Sequence, residues 1–207
     1  SENHRPDGIY LDDAVSGHQI YGNLLINIPS NSIHVGGGRD NVITNNIIVN
    51  PGNNALRFDD RAREGALENG WFTHAYVGSG DMWEALYNSP WQSETWQNAF
   101  PEYKNCTDDI SESDSPAYIP NPASTFKNNI IINKNMGYGE VYSSVWKFSD
   151  ISENAIYNVG KCDEIFVDID NGDYNIKDID EIRKVAPDFK EIPLDMIGKK
   201  KKKNPFC

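Results

Sequence analysis

The chain has 207 residues, of which 38% are hydrophobic and 11% aromatic, enough apolar material to bury a core in one domain or in part of a larger one. A formal net charge of -12 opposes nucleic acid or an anionic membrane as the main partner, because the overall field repels both. No stretch has the length of a membrane span. The three cysteines have the spacing of neither a disulfide framework nor a zinc site.

The first predicted elements are short strands that recur at a fixed spacing. Segment 18–27 (HQIYGNLLIN) is similar to segment 41–50 (NVITNNIIVN), an offset of 23 residues. The same offset, within one residue, relates the short segments that begin at Gly8, Ser32 and Ala55. A repeat of this length, made of strands without intervening helices, predicts an all-β parallel solenoid in which successive coils stack.

Two further copies of the repeat occur at 126–133 and 151–158. Aligning the copies gives one asparagine column, which contains Asn23, Asn46, Asn129 and Asn154. A side-chain amide has two donors and two acceptors, so that asparagines at the same turn of successive coils can bond along the stack. We therefore predict a structural asparagine ladder.

Between the third coil and the fourth, the spacing predicts a partly helical insertion at about 62–122. This insertion carries four of the five tryptophans, Trp71, Trp83, Trp91 and Trp96. We expect it to fold back against the face that carries the candidate acids described below. Most of its tryptophans are expected to pack it onto the solenoid, while one or two are free to offer a ring face to a sugar.

The remaining sequence indicates where the domain ends and where a C-terminal tail begins. Residues 1–198 are interpreted as the C-terminal part of a β-helix domain, with a cover at 163–198 expected over the last coil, where a sheet edge is otherwise open. Residues 199–207 form a basic tail whose run of lysines is expected to be solvated. The chain starts almost directly on a strand, so that earlier coils of its own chain are expected before Ser1.

Alternation along the strands assigns faces to the side chains around GGGRDN (36–41). The inward positions are apolar: Ile9, Leu11, Ile33, Val35, Leu56 and Phe58. The first outward column contains Tyr10, His34 and Arg57. The second contains Asp12, Gly36 and Asp59, and at the following turn lie Asp13, Gly37 and Asp60.

The glycine in the second column separates two carboxylates. Neighbouring strands lie about 4.8 Å apart, so that Asp12 and Asp59 are predicted to lie about 9.6 Å apart, with Gly36 leaving an open floor between them. Carboxyl groups about 6.5 to 9.5 Å apart suit an inverting glycosidase, in which one protonates the leaving oxygen and the other activates water. We therefore predict Asp12 and Asp59 as acid and base, with Asp13 and Asp60 as further catalytic candidates.

Other polar side chains are expected at the same edge, where arginines and Asp40 would hold or steer the acids. His34 is a candidate proton carrier or partner of a sugar hydroxyl. The predicted substrate-binding residues are Tyr10, His34, Gly36, Arg39, Asp40, Arg57 and Arg61. Alternatively, the Asp-Asp and Gly-Gly pairs only make the turns of a solenoid, where these residue types are common.

The chain resembles the C-terminal part of right-handed parallel β-helix proteins of the pectate-lyase-like superfamily, most closely proteins related to glycoside hydrolase family 141. The resemblance rests on DGIYLDDAVSGHQIYGNLLIN, VGGGRDNVITNNIIVN, ALRFDDRA, MWEALYNSPW and PDFKEIPLDMIG. It implies an extracellular or periplasmic enzyme that acts on plant or microbial polysaccharides in a groove along one face. By resemblance, the four aspartates lie where family acids would be sought.

Two other functions remain open at this point. A polysaccharide lyase of the same fold would abstract a proton beside a uronate carboxylate, with a basic residue and usually calcium. A carbohydrate-binding solenoid without catalysis is the third interpretation. For the hydrolase, neither a metal nor another cofactor is predicted, and the expected partner is a polysaccharide or oligosaccharide.

Overall fold

The structure is a computed structural model that describes residues 5–64, 67, 85 and 88–197. Within these residues the chain visits three parallel sheets in turn. Sheet A contains β1 (Ile9–Leu11), β4 (Ile33–Gly36) and β7 (Leu56–Asp59). Sheet B contains β2 (Gln19–Tyr21), β5 (Val42–Thr44), β8 (Thr125–Lys127) and β10 (Asp150–Ser152). Sheet C contains β3 (Leu24–Ile26), β6 (Ile47–Val49), β9 (Ile130–Asn133) and β11 (Ala155–Asn158).

The parallel register agrees with the predicted columns. In sheet A, His34 lies opposite Tyr10 on one side and Arg57 on the other, and Gly36 lies opposite Asp59. The predicted inward residues of this sheet pack into a core with the central residues of sheets B and C, because every second side chain of a strand points to the same face. Stacked parallel sheets of this kind are compatible with a parallel β-helix.

Asparagine side chains join the coils at the corner between sheets B and C. The Nδ2 of each donates to the Oδ1 of the next, over 2.9 Å from Asn23 to Asn46, 3.0 Å to Asn129 and 2.9 Å to Asn154. Asn46 and Asn129 are completely buried. The predicted asparagine ladder is therefore confirmed.

Sheet A continues beyond β7 through residues 138–142. The N–H of Leu56 donates to the Tyr138 carbonyl over 2.8 Å, and the N–H of Phe58 donates to the Glu140 carbonyl over 2.9 Å. This segment follows β9 and leads into helix α3 (Ser143–Phe148) before β10. The order of the three sheets is thus kept through the last described coil.

The insertion leaves the coils after β7 through helix α1 (Arg61–Glu64) and returns at β8. Its later part contains α2 (Glu94–Ala99) and the 3₁₀ helices Pro101–Asn105 and Ile110–Glu112. Trp91 is buried against Ala14, Ala62 and Ile119, as predicted for a packing tryptophan. The described part of the insertion thus contacts the corner between sheets A and B, while Trp71 and Trp83 lie outside the described residues.

The C-terminal segment packs on the outer face of sheet C, including Ala155 of the last described coil. It contains α4 (Cys162–Ile165), β12 (Phe166–Asp168), β13 (Asp173–Ile176) and α5 (Ile179–Arg183), with 3₁₀ helices Val159–Lys161, Ile169–Asn171 and Leu194–Met196 at its turns. Strands β12 and β13 are antiparallel. Ile182, Ala186 and Phe189 pack on the outward side chains of β6 and β9, because these strands are apolar on both faces.

Two backbone N–H groups tie this cover to the coils. The N–H of Lys190 donates to the Asn45 side chain, and the N–H of Asp188 donates to the Asn128 side chain over 3.0 Å. No helix among the described residues is long and apolar enough to cross a membrane. The Lys199–Lys203 run and Cys207 lie outside the described residues.

Candidate functional site

The outer face of sheet A carries the first predicted column. The Tyr10 ring is 43% exposed and stacks on the His34 ring, with 4.2 Å between centroids and 10° between planes. His34 is only 6% exposed because Tyr10 covers it. Arg57 lies next in the column and forms an ion pair with Glu140 at 3.4 Å. One exposed aromatic ring thus lies over a buried imidazole.

The space above Gly36 is filled, so the predicted open floor is wrong. A Cβ atom at position 36 would lie 2.8 Å from the Arg61 Cζ. Arg61 begins α1, two residues after β7 ends, and its side chain turns back across the sheet. The glycine therefore makes room for a guanidinium group of the same chain.

The Arg61 side chain holds three of the predicted aspartates together. It binds Asp59 through two parallel contacts, Nε to Oδ1 at 3.0 Å and Nη2 to Oδ2 at 2.8 Å. Its Nη1 donates to Asp12 at 3.0 Å, to Asp13 at 3.3 Å and to the Tyr10 hydroxyl at 3.1 Å. We call this group, with His34 and Asp7, the Arg61 cluster.

Asp7 completes the cluster and was missed by the sequence analysis. His34 contacts two carboxylates, Asp7 through Nδ1 at 2.8 Å and Asp59 through Nε2 at 3.4 Å. Asp7 also accepts from the side chain and the backbone N–H of Asn31, both at 2.9 Å. Asn31 in turn accepts from Asn54 at 2.8 Å. The spacing of 24 and 23 residues along this column was the signal that could have identified Asp7.

Hydrogen bonds and charge favour the ionised forms of Asp7, Asp12 and Asp59. Burial alone would raise the pKa of Asp59, but hydrogen bonds from His34 and Arg61 and the arginine charge hold it far below its usual range. Asp59 reciprocally raises the pKa of Arg61. The pKa of Asp12 is lowered chiefly by its hydrogen bond with Tyr10, and that of Asp7 is lowered because hydrogen bonds from Asn31, Ser30 and His34 outweigh burial.

Accessibility divides the carboxylates into two classes. Asp59 is only 5% exposed, whereas the side chains of Asp12 and Asp13 are 55% and 70% exposed. A ligand approaching the outer face of sheet A therefore meets Asp12, Asp13 and the Tyr10 ring before it meets Asp59. The buried carboxylate acts on that ligand only through Arg61 and His34.

Two predicted neighbours of the acids lie elsewhere. The buried Arg39 binds Asp40 through Nε at 2.7 Å and donates from Nη1 to the carbonyls of Ala117 and Tyr118, each at 3.3 Å. These contacts fix the insertion to the corner between sheets A and B. The expectation that Arg39 and Asp40 gather with Arg61 at one edge is wrong, because the turn after Gly38 directs their side chains to that corner.

Asp60 also points away from the cluster. Its carboxylate accepts a hydrogen bond from the Ser144 hydroxyl of α3. It lines a separate cavity of about 360 Å³ with Arg63, Glu64, Leu67 and Tyr142. Consecutive residues diverge here because α1 begins directly after Asp60, so Asp60 is not brought together with Asp12 and Asp59.

Comparison with known proteins identifies no relative of this chain. No family model, curated protein or solved structure matches the chain. Among the residues that the structure describes, no group of three or more His, Cys, Asp or Glu side chains is placed to hold a metal ion. The Arg61 cluster is therefore the candidate functional site.

Proposed function

We propose that the chain is part of a right-handed parallel β-helix of the pectate-lyase-like kind, similar to family 141 glycoside hydrolases, and that it acts on a polysaccharide outside the cytoplasm. The repeated order of sheets A, B and C and the asparagine ladder support the fold assignment. The ligand surface in this proposal is the outer face of sheet A.

The main support for the proposal is that the Arg61 cluster places exposed ligand-binding groups above a set of less exposed charged groups. Two exposed carboxylates and an exposed ring, from Asp12, Asp13 and Tyr10, rest on the half-buried Arg61, which is itself held by the buried Asp59. Carboxylates accept hydrogen bonds from sugar hydroxyls, and an aromatic ring offers its face to the C–H groups of a pyranose. A support of charged hydrogen bonds fixes the exposed groups before a ligand arrives.

The reaction that we propose is glycoside hydrolysis, with roles that differ in part from the predicted acid and base pair. A general acid must hold a proton, which the ion-paired Asp59 does not do near neutral pH. Asp12 becomes a better acid when a sugar displaces Arg61 from it, because loss of a positive neighbour raises a carboxyl pKa. Asp13 is then the accessible second carboxylate, and Asp59 becomes a positioning residue.

To test the reaction, the purified protein is incubated with a panel of plant and microbial polysaccharides, and new reducing ends are measured. We expect release of reducing sugar that falls about 100-fold or more in Asp12→Asn, the loss typical of a missing acid-base group. Asp170→Asn, which changes an exposed aspartate on the C-terminal cover, is the matched control and should retain full activity. Full activity of Asp12→Asn with an intact fold would contradict the assignment.

A second candidate, carbohydrate binding without reaction, is favoured by the same arginine. Arg61 already bonds to Tyr10 and to three of the four predicted catalytic carboxylates, those of Asp12, Asp13 and Asp59, which are therefore satisfied without a substrate. Binding of a panel member with no turnover would support this function. A chelator-sensitive product that absorbs in the ultraviolet would instead indicate a calcium-dependent lyase.

A further inference from the structure

A groove runs along the corner between sheets A and B and onto the outer face of sheet B. It consists of two adjoining cavities of about 210 and about 560 Å³, which share Gly17, Asp40 and Glu102 in their linings. No residue of the Arg61 cluster lines either cavity. The groove is therefore a surface separate from the candidate site on sheet A.

One wall of the groove is aromatic and comes from the insertion. Trp96 and Phe100 lie 5.2 Å apart between ring centroids, and Tyr103 meets Phe100 edge-on at 6.4 Å. Phe100 is 44% exposed although it lines the cavity. An exposed aromatic face beside a cavity is the surface on which the C–H groups of a sugar ring pack.

An unsatisfied donor lies in the same wall. The indole Nε1 of Trp96 is buried but has no hydrogen-bond partner among the described residues. A buried N–H without an acceptor is unfavourable, and most such groups in proteins are satisfied by protein, water or ligand. The open cavity does not expose this buried atom, so the contacts that the cavity offers a ligand are the rings of Trp96, Phe100 and Tyr103.

The charged residues that line the groove favour a neutral ligand over an ionic one. None of the lining residues within the described part of the chain is Lys, Arg or His. Of the lining carboxylates, Asp40 is paired with Arg39 at 2.7 Å and Asp150 with Lys127 at 3.2 Å, which leaves Glu102 without an ion pair among the described residues. The described lining contains no basic side chain to bind a uronate or a phosphate. It offers a strongly cationic ligand only one unpaired carboxylate, that of Glu102.

The opposite wall offers neutral hydrogen-bonding groups on sheet B. Ser16 and Gly17 lie at the aromatic end, and a polar row continues through Gln19 and Thr125. Asn41 also lines the groove, but it is completely buried and its amide is bonded to Val15 and His18. Gly17 has open space where a Cβ would be, so that nothing obstructs the groove floor. Hydroxyl and amide groups match the hydroxyls of a sugar in both donor and acceptor roles.

We propose that this groove binds a neutral oligosaccharide. Its sugar rings pack on Trp96, Phe100 and Tyr103, and its hydroxyls bond to Glu102 and the polar row. The bond from Arg39 to Asp40 and to the backbone at 117–118 holds the two walls at a fixed separation. The proposal does not depend on catalysis at the Arg61 cluster.

Calorimetric titration of the whole protein with defined hexasaccharides tests this site. The probes are neutral β-1,4-linked hexamers of glucose, xylose and mannose, an anionic hexagalacturonate and a cationic hexaglucosamine. We expect at least one neutral hexamer to bind and its Kd to rise about tenfold in Phe100→Ala, the loss expected for one ring contact. Glu102→Gln should weaken binding severalfold, because the amide is a poorer acceptor than a carboxylate.

Matched controls lie on the same insertion. Ile110→Ala removes a hydrophobic side chain that is 62% exposed, and Glu112→Gln neutralises an exposed carboxylate; neither residue lines the groove. Both should leave Kd unchanged; a Kd that rises in Asp12→Asn but not in Phe100→Ala would place the binding on sheet A instead. Absence of binding by all three neutral hexamers, preference for a charged hexamer, or an unchanged Kd in Phe100→Ala would overturn the proposal.

Discussion

Two polar networks of this molecule differ in how they are built. The asparagine ladder at the corner between sheets B and C is neutral and repeats once per coil, so that each amide bonds to an identical neighbour. The Arg61 cluster on sheet A is charged, and three of its carboxylates, from Asp12, Asp13 and Asp59, share one guanidinium. Repetition thus marks the network that stabilises the stack, and a shared guanidinium marks the candidate ligand surface.

The largest expected effect is in the ladder, with Asn129→Leu. Asn129 is completely buried and bonds to Asn46 and Asn154 as well as to the carbonyls of Ile43 and Lys127. Its loss leaves several buried groups unpaired, so we expect the free energy of unfolding to fall by about 3 kcal/mol or more. Urea denaturation measures this value. Asn98→Ala on the exposed face of α2 is the control and should stay within about 0.5 kcal/mol of the wild type.

A smaller effect, with a pH signature, is expected in the Arg61 cluster for Asp59→Asn. Removal of one partner of a largely buried pair destabilises a protein by about 3 to 5 kcal/mol; since Arg61 is 28% exposed, we expect about 2 kcal/mol at pH 7. The folded pKa of Asp59 is depressed, so its contribution is present above the unfolded pKa of about 3.9 and is lost as pH falls through the folded value.

The measurement is urea denaturation of both proteins between pH 7 and pH 2. The wild type should lose more stability than Asp59→Asn as the pH falls below about 4. Parallel curves for the two proteins would mean that Asp59 does not carry this proton linkage. The ladder variant Asn129→Leu, which changes no titratable group, should run parallel to the wild type.

The smallest of the three effects is expected for Gly36→Ala. This substitution tests the contact between Gly36, which belongs to the repeat, and Arg61, which lies outside the repeat in α1. The new methyl group would lie 2.8 Å from the Arg61 Cζ, the far end of a flexible side chain, so the arginine can shift. We expect a loss of about 1 kcal/mol together with a rise in the pKa of Asp12 as Arg61 moves away. An NMR titration of the Asp12 carboxyl carbon measures this shift, and an unchanged titration with the full loss of stability would show that Arg61 keeps its place.

The repeat made the coils predictable from sequence. Alternation and a 23-residue offset are local properties of the chain, and they placed His34 beside Tyr10 and Arg57 and located the ladder. Arg61 was expected beside the acids and does hold them, but its position across Gly36 was not predicted, because Arg61 belongs to a helix that interrupts the repeat after β7. The same limit applies to Asp60, which diverges from the cluster at that helix.

The contact between the cover and the side of sheet C was not predicted from the sequence. The prediction considered only the open edge of the last coil, whereas β6 and β9 are apolar on both faces and present a hydrophobic surface at the side of sheet C. Burial of that surface stabilises the packing of the cover. Consecutive isoleucines, such as Ile130, Ile131 and Ile132, were the sequence signal for a strand buried on both faces.

The side-on cover also makes the direction of synthesis matter. During translation, sheets A, B and C can stack as soon as their coils emerge, while the segment that contains Ile182, Ala186 and Phe189 is still in the ribosome. Until then, the nascent chain displays an uncovered isoleucine-rich flank to the cell. Premature termination before residue 179 would leave that flank permanently open, a condition that favours capture by chaperones or aggregation.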